Sequence, residues 1–256
     1  MGRFTGRTAV ITGGGSGIGA MTAKRIASEG GKVILVGRTE KKLTRTASEL
    51  KELDGTVLTF VADVTKQTDI DQLASFIKEK AGSLHILINN AGGSKGSPIL
   101  EMSEENWDHA QNVNLKSVFL VSKTLGKLMF EKAKTDDSVG DLSIVNIASL
   151  SGHKAGAQIP HYSAAKAAVI NFTRALAVEL SPYIRVNSVS PGFVETPLTE
   201  DGLKNERFEA SIKRNTALNR VGQATEIANV ISFAASPEAS YMTGSDLLVD
   251  GGWLIV

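Results

Sequence analysis

Tyr162 and Lys166 stand four residues apart at the start of a helical pattern, so both side chains project from one face. A free phenol, with a pKa of ~10, is a poor base at neutral pH. A neighbouring ammonium favours phenolate and makes such a pair fit for proton transfer. The spacing Tyr-x-x-x-Lys also describes an ordinary surface contact, and its company is what gives it weight. Ser149 lies just beyond an apolar run, in NIASLSG, thirteen residues before Tyr162. Asn89-Asn90-Ala91-Gly92 follows another apolar run, and Asn114 lies in the long helical stretch after it.

A second constellation stands near the start. Thr12-Gly13-Gly14-Gly15-Ser16-Gly17-Ile18-Gly19 follows the run TAVIT and opens a helical pattern. Glycine lets backbone approach a ligand, and a helix N-terminus offers free N–H groups and partial positive charge to a pyrophosphate. No Lys-Ser/Thr pair follows, so this is not a P-loop. Ile18 falls where the third glycine of G-x-G-x-x-G belongs, and the spacing here is T-G-x-x-x-G-I-G. A tight turn would use the same residues, but a first strand–helix junction favours dinucleotide binding. A site selecting NAD carries an acid about 20 residues further on, near Gly37. None is there; Arg38 follows, with Lys41 and Lys42 behind it. A guanidinium binds a 2′-phosphate through paired hydrogen bonds. Arg38 therefore favours NADP(H), with NAD(H) the alternative if it is merely a solvated residue at a helix start.

These residues need a scaffold, and apolar periodicity supplies one. Thr8–Thr12, Lys32–Val36, Thr56–Val61, Ile86–Ile88, Leu142–Ile147, Ile184–Val189 and Asp246–Val249 read as strands, nearly continuous in apolar character and so covered on both faces. Helical patterns separate them, including Trp107 to Phe130 and Ser163 to Leu180. The alternation predicts an α/β fold: one Rossmann-type, doubly wound domain over 1–256, with a seven-stranded parallel sheet and helices on both faces. In such a sheet the C-terminal strand ends share one edge, where ligands bind. Pro197 to Thr216 is polar and weakly helical, which suits either a substrate lid or a plain surface loop.

Composition narrows the class. The 256 residues carry a formal net charge of +1, which gives no electrostatic case for nucleic acid or an anionic membrane. Cysteine is absent, removing disulfides and thiolate chemistry. His85, His109, His153 and His161 show no metal-ligand spacing, so no metal is expected. No segment has secretory or membrane-spanning character, Met1-Gly2 makes a poor myristoylation signal, and a cytoplasmic enzyme is the expectation.

Taken in order, TGGGSGIG, Asp63-Val64, NNAG, NVN, Ser149 with Tyr162-x-x-x-Lys166, Pro191-Gly192 and TGSDLLVDGG resemble the short-chain dehydrogenase/reductase family over the whole chain, in its single-domain branch. The resemblance implies an oxidoreductase moving a hydride between nicotinamide and a carbonyl or secondary-alcohol carbon. Tyr162 is then the general acid/base, and Ser149 holds the substrate oxygen. Lys166 holds the nicotinamide ribose and lowers the pKa of Tyr162, while Asn114 supports a proton-relay water. Along the cofactor it implies Gly13, Ser16, Gly17, Ile18, Gly19, Arg38, Asp63, Val64, Asn90, Ala91, Gly92, Tyr162, Lys166, Pro191, Gly192, Val194 and Thr196. Ser151, Gln158 and Phe193, with Gly93 and Ser94, fall at substrate-pocket positions. His153, close behind Ser149, is a further pocket candidate. Ser16 stands where some NADP-using relatives carry a basic residue, so cofactor preference leans on Arg38. The implied partner is a small carbonyl or alcohol substrate, with neither nucleic acid nor membrane. Relatives are commonly tetramers or dimers, and the apolar tail Trp253-Leu254-Ile255-Val256 suits burial at a subunit contact. Two other readings stand beside this one: an enoyl or dienoyl thioester reductase on the same fold, and a catalytically silent NADP-sensing protein, which the complete Asn114/Ser149/Tyr162/Lys166 set disfavours.

Overall fold

The computed structural model describes residues 2–53, 55–93 and 95–256. Short apolar runs form the main sheet: β1 (Thr8–Thr12), β2 (Lys32–Gly37), β3 (Val57–Val61), β4 (Ile86–Asn89), β5 (Leu142–Ile147) and β6 (Ile184–Pro191). Two-residue strands β7 (Val194–Glu195) and β8 (Gly222–Gln223) pair separately, and β9 (Asp246–Val249) completes the main sheet. Its seven strands run in the order β3-β2-β1-β4-β5-β6-β9, every pair parallel.

Alternate side chains of each strand point to opposite faces. Ala9, Ile11, Val33, Leu35, Ile86 and Ile88 meet Ala23, Ile26 and Ala27 of α1 (Gly17–Ser28) and Ile227, Ile231 and Ala234 of α9 (Ala224–Ala235). Val10, Ile34, Val36, Leu87, Ile144 and Val186 meet Ile70, Leu73 and Ile77 of α3 (Gln67–Lys80) and Val121, Leu125 and Met129 of α5 (Ser117–Thr135). Burying both faces explains why the central strands lack polar alternation. The outer strands depart from the expectation of two covered faces: β3 and β9 are mostly half-buried, and Val61 is 51 % exposed. Each lies at a sheet edge, with a neighbouring strand on one side only.

The chain leaves β1 for β2 and β3, then returns to place β4 on the other side of β1. The C-terminal ends of β1 and β4 therefore diverge at a topological switch point, where an open α/β sheet leaves a crevice. Between β2 and β3 lies α2 (Glu40–Glu49), and α6 (Pro160–Glu179) follows β5.

The helix expected from Trp107 to Phe130 is three pieces. α4 (Glu104–Gln111) begins at Ser103, whose hydroxyl accepts from the Asn106 amide at 3.2 Å; a π-turn, Asn112–Lys116, then leads into α5. Apolar periodicity carries no signal for a one-residue widening of the helix. The segment Pro197 to Thr216 holds more helix than its polarity suggested: α7 (Glu200–Leu203) and α8 (Glu206–Arg214), the latter capped by Asn205 and anchored by buried Ile212. Among the described residues no helix is long and apolar enough to cross a membrane.

Candidate active site

The loop after β1 and the loop after β4 are built as one unit. Thr12 Oγ1 accepts from the amides of Asn90 (2.9 Å) and Ala91 (3.0 Å), and the Asn90 side-chain amide donates back to the Thr12 carbonyl at 2.9 Å. Gly13 has φ +66, a conformation L side chains avoid. At Gly19 a Cβ would lie 2.4 Å from the Gly13 carbonyl oxygen and 2.6 Å from Asn90 Nδ2, so helix α1 can start this close to the strand only at glycine. Ser16, the residue before α1, does not cap it with its side chain, which leaves first-turn N–H groups to face the crevice.

The opposite wall comes from β5 and α6. Asn146 on β5 accepts from buried Asn89 of β4 at 2.8 Å and donates to Thr173 of α6 at 2.9 Å. This buried ladder fixes β5, which leads into Ser149, against the helix carrying Tyr162 and Lys166. Asn89 and Asn146 fall within the NNAG and NIASLSG runs, but neither is singled out there as a site residue; their further signal is that each is a polar residue inside an apolar strand.

A cleft of about 440 Å³ runs between the two walls. Gly13, Ser16, Gly17, Ile18, Asn90, Ala91 and Gly92 line it on one side, and Ser149, Ser151, Tyr162 and Lys166 on the other. Pro191, Gly192, Phe193, Val194 and Thr196, from the end of β6, close a third side, joined by Gly93 and Leu198. Asn114 stands behind this lining, fully buried in the π-turn; its Oδ1 accepts from the Gly93 amide at 2.9 Å and its Nδ2 donates to the Gly93 carbonyl at 2.8 Å. Gly19 also lies behind the lining, and its role is close helix–loop packing.

Not every expected residue reaches the cleft. Arg38 is exposed at the end of β2, beyond the lined cavity, and forms no salt bridge among the described residues. Asp63 and Val64 follow β3, also outside the cavity. Burial works to raise the Asp63 pKa, but hydrogen bonds from Thr65 and the charges of Arg38 and Lys66 outweigh it and hold the carboxyl below its ordinary range. Two pocket candidates are placed elsewhere. His153 Nε2 lies 2.8 Å from Asp246 on β9, drawn off by a carboxylate that also accepts from Ser190 at 2.9 Å. Gln158 has φ 62, and its carbonyl accepts from the Ser97 amide at 2.7 Å; it forms a turn outside the lining. Ser94 lies outside the described residues.

Burial dominates the electrostatics. It pushes the Tyr162 phenol above its ordinary range, while a hydrogen bond with Ser149 works in the opposite sense. Lys166 is 3 % exposed, and burial brings its ammonium down to about 8. Its Nζ donates to the Ile147 carbonyl at 2.7 Å and sits 5.6 Å from the centre of the Tyr162 ring. At neutral pH the phenol is thus protonated, beside a lysine that is charged but close to its own titration point.

A family model described as enoyl-(acyl carrier protein) reductase matches residues 13–254. The chain belongs to the short-chain dehydrogenase/reductase family. It is an oxidoreductase of that family. A 3-oxoacyl-[acyl-carrier-protein] reductase FabG of Thermotoga maritima is 38% identical, covering 99% of this chain and 100% of the relative. Levodione reductase of Leifsonia aquatica is 35% identical, covering 98% of this chain and 95% of its own length. A crystal structure of a short-chain dehydrogenase/reductase from Mycobacterium marinum superimposes with a TM-score of 0.92 at 33% identity, covering 99% of this chain and 97% of that one.

Proposed function

We propose that this family member is an NADP(H)-dependent ketoreductase or alcohol dehydrogenase, with Tyr162 as general acid/base. The observation that supports the reading is a half-buried phenol, its pKa raised by desolvation, that hydrogen-bonds with Ser149 and has the Lys166 Nζ 5.6 Å from its ring centre, in the cleft the glycine loop opens onto. The glycine cradle at Gly13 and Gly19 and the uncapped start of α1 fit a dinucleotide pyrophosphate. Nicotinamide, when bound, supplies the hydride in reduction and accepts it in oxidation. Ser149 donates a hydrogen bond to the substrate oxygen and orients it. Tyr162 gives that oxygen its phenolic proton in reduction and takes it back in oxidation. Lys166 holds positive charge beside the phenolate that reduction leaves, which stabilises it in a dry site. Asn114 locks the Gly92-Gly93 turn, and Lys166 stands next to that turn: a Cβ on Gly92 would be 3.4 Å from Nζ. This neighbourhood supports the reading that Asn114 holds a water through which Lys166 reprotonates Tyr162.

NADP(H) rather than NAD(H) rests on Arg38, exposed and free of salt bridges among the described residues. Phe119 on α5 and Phe233 on α9 are 42 % and 40 % exposed, which supports a homodimer or homotetramer. The test is turnover of a ketone panel with both reduced cofactors, repeated with Arg38→Asp. Wild type should prefer NADPH, and Arg38→Asp should lower that preference about tenfold or more, the loss of roughly one charge-assisted contact. An unchanged ratio removes Arg38 from the 2′-phosphate site. The family model's description favours a second reading, reduction of an enoyl thioester. An unsaturated ketone in the panel separates the two, because only that reading saturates the carbon–carbon bond. Tight NADPH binding with no turnover would point to the silent sensor.

A further inference from the structure

The substrate end of the cleft differs in chemistry from the cofactor end. Beside Ser149 and Tyr162 the lining includes Leu150, Ile159, Phe193 and Leu198, with the hydroxyls of Ser151, Thr196 and Thr199 as polar groups; Thr199 Oγ1 already donates to the Val194 carbonyl at 2.6 Å and lies 3.2 Å from Thr196 Oγ1. Lys166, already engaged with the Ile147 carbonyl, is the only charged residue among those lining the whole cleft in the described residues. A substrate carboxylate or a ring of hydroxyls entering here would lose its water and find too few partners to replace it, which disfavours binding.

Phe193 is held in this wall from behind. Its ring packs on Trp253 with centroids 4.8 Å apart and edge-to-face on Phe208 of α8 at 5.8 Å. Trp253 reaches it through a built turn. Gly251 and Gly252 have φ +62 and +85, and the Asp250 carboxylate accepts from the amides of Gly252 (2.8 Å) and Leu254 (2.9 Å). Lys154 Nζ stands 5.9 Å from the Trp253 ring, and Lys154 is not part of the lining.

We propose that this end of the cleft takes an uncharged, predominantly apolar ketone, and that Phe193, braced by Trp253 and Phe208, is the specificity-determining wall that sets its size. The proposal rests on the ketoreductase reading above. Trp253 and Phe208 are positioning residues, since neither lines the cleft and both act through Phe193.

The experiment compares methylcyclohexanone, its carboxylate analogue and its polyhydroxylated analogue as substrates with NADPH, in wild type, Trp253→Ala, Trp253→Phe and Phe208→Ala. Equilibrium NADPH binding by each variant reports that it is folded. The apolar ketone should exceed both analogues in kcat/KM by about tenfold or more, the scale of one unpaired buried polar group. Trp253→Ala should raise KM for methylcyclohexanone about tenfold and leave kcat and NADPH affinity nearly unchanged, and Trp253→Phe should restore most of the loss. Phe208→Ala should shift KM in the same direction. Preference for the carboxylate or the polyol would overturn the proposal and leave the ketoreductase reading standing. An unmoved KM in both alanine variants would overturn the role of the brace. Loss of NADPH binding in Trp253→Ala, with KM unmoved in Phe208→Ala, would do the same. No turnover of any of the three ketones by wild type, with NADPH bound, would overturn both.

Discussion

Lys166 concentrates the chemistry of single residues in this chain. An ammonium that titrates at about 8 instead of 10.5 is one the fold would rather hold neutral. The displacement corresponds to about 3 kcal/mol of protonation free energy. Because the folded-state value is the lower one, the unfolded chain binds the extra proton between pH 8 and 10.5. Stability from this group is therefore fully present above about 10.5 and lost as pH falls through about 8. Denaturant melts of the cofactor-free protein across that window should show a rising contribution that Lys166→Met abolishes; equal slopes in the two proteins would refute it. The pair Tyr162 and Lys166 stood out in the sequence only in the company of Ser149, the Asn89–Gly92 run and Asn114, since its spacing alone also fits a surface contact. Their electrostatics were not legible there: the resemblance implies that Lys166 lowers the Tyr162 pKa, whereas in the cofactor-free fold burial is the larger influence and raises it. Burial is a property of packing, which spacing does not report. The same holds for His153, whose position beside Ser149 suggested the pocket until the carboxylate of Asp246, 93 residues away, claimed it.

Elements carry the positioning. The strand–glycine–helix junction was readable because conformational need and residue type coincide there: few side chains other than hydrogen fit between Gly13 and α1. Gly19→Ala places a methyl 2.4 Å from the Gly13 carbonyl oxygen and should weaken NADPH binding at least ~10-fold while lowering stability by about 1–3 kcal/mol. Gly126→Ala is the control. It lies in α5 with its nearest neighbour 3.7 Å from the new Cβ, so it should leave NADPH affinity alone and stabilise by up to about 1 kcal/mol. Equal effects at the two glycines would refute the special role of the loop. The π-turn that holds Asn114 was not readable, because a widened helix needs no residue that an ordinary helix lacks. The contact of Trp253 was unreadable for a related reason: nothing in an apolar tail signals that the turn at Asp250–Gly252 brings the indole onto Phe193, while Ile255 and Val256 remain 83 % and 65 % exposed.

At the scale of the whole molecule, seven parallel strands with one reversal of direction set a crevice between β1 and β4, and everything proposed for this chain happens along it. Three of the strands, Thr8–Thr12, Leu142–Ile147 and Asp246–Val249, matched their sequence-based bounds to the residue, and the others shifted by one or two at an end. What decided them was largely apolar character; it missed the exposure of the edge strands, where neighbours rather than sequence fix it, and the buried polar residues Arg185, Asn187, Ser188 and Ser190 of β6. The sheet thus brings a glycine loop and a phenol to one edge although they lie far apart in sequence. A single substitution separates binding from chemistry. Tyr162→Phe keeps the ring and its packing but removes the proton. The direct measurement is kcat of Tyr162→Phe with NADPH and a ketone that wild type reduces, taken on protein whose NADPH affinity has been confirmed. The account predicts wild-type affinity and a fall in kcat of at least ~100-fold, the lower range for loss of a general acid. Turnover within a few-fold of wild type would contradict it.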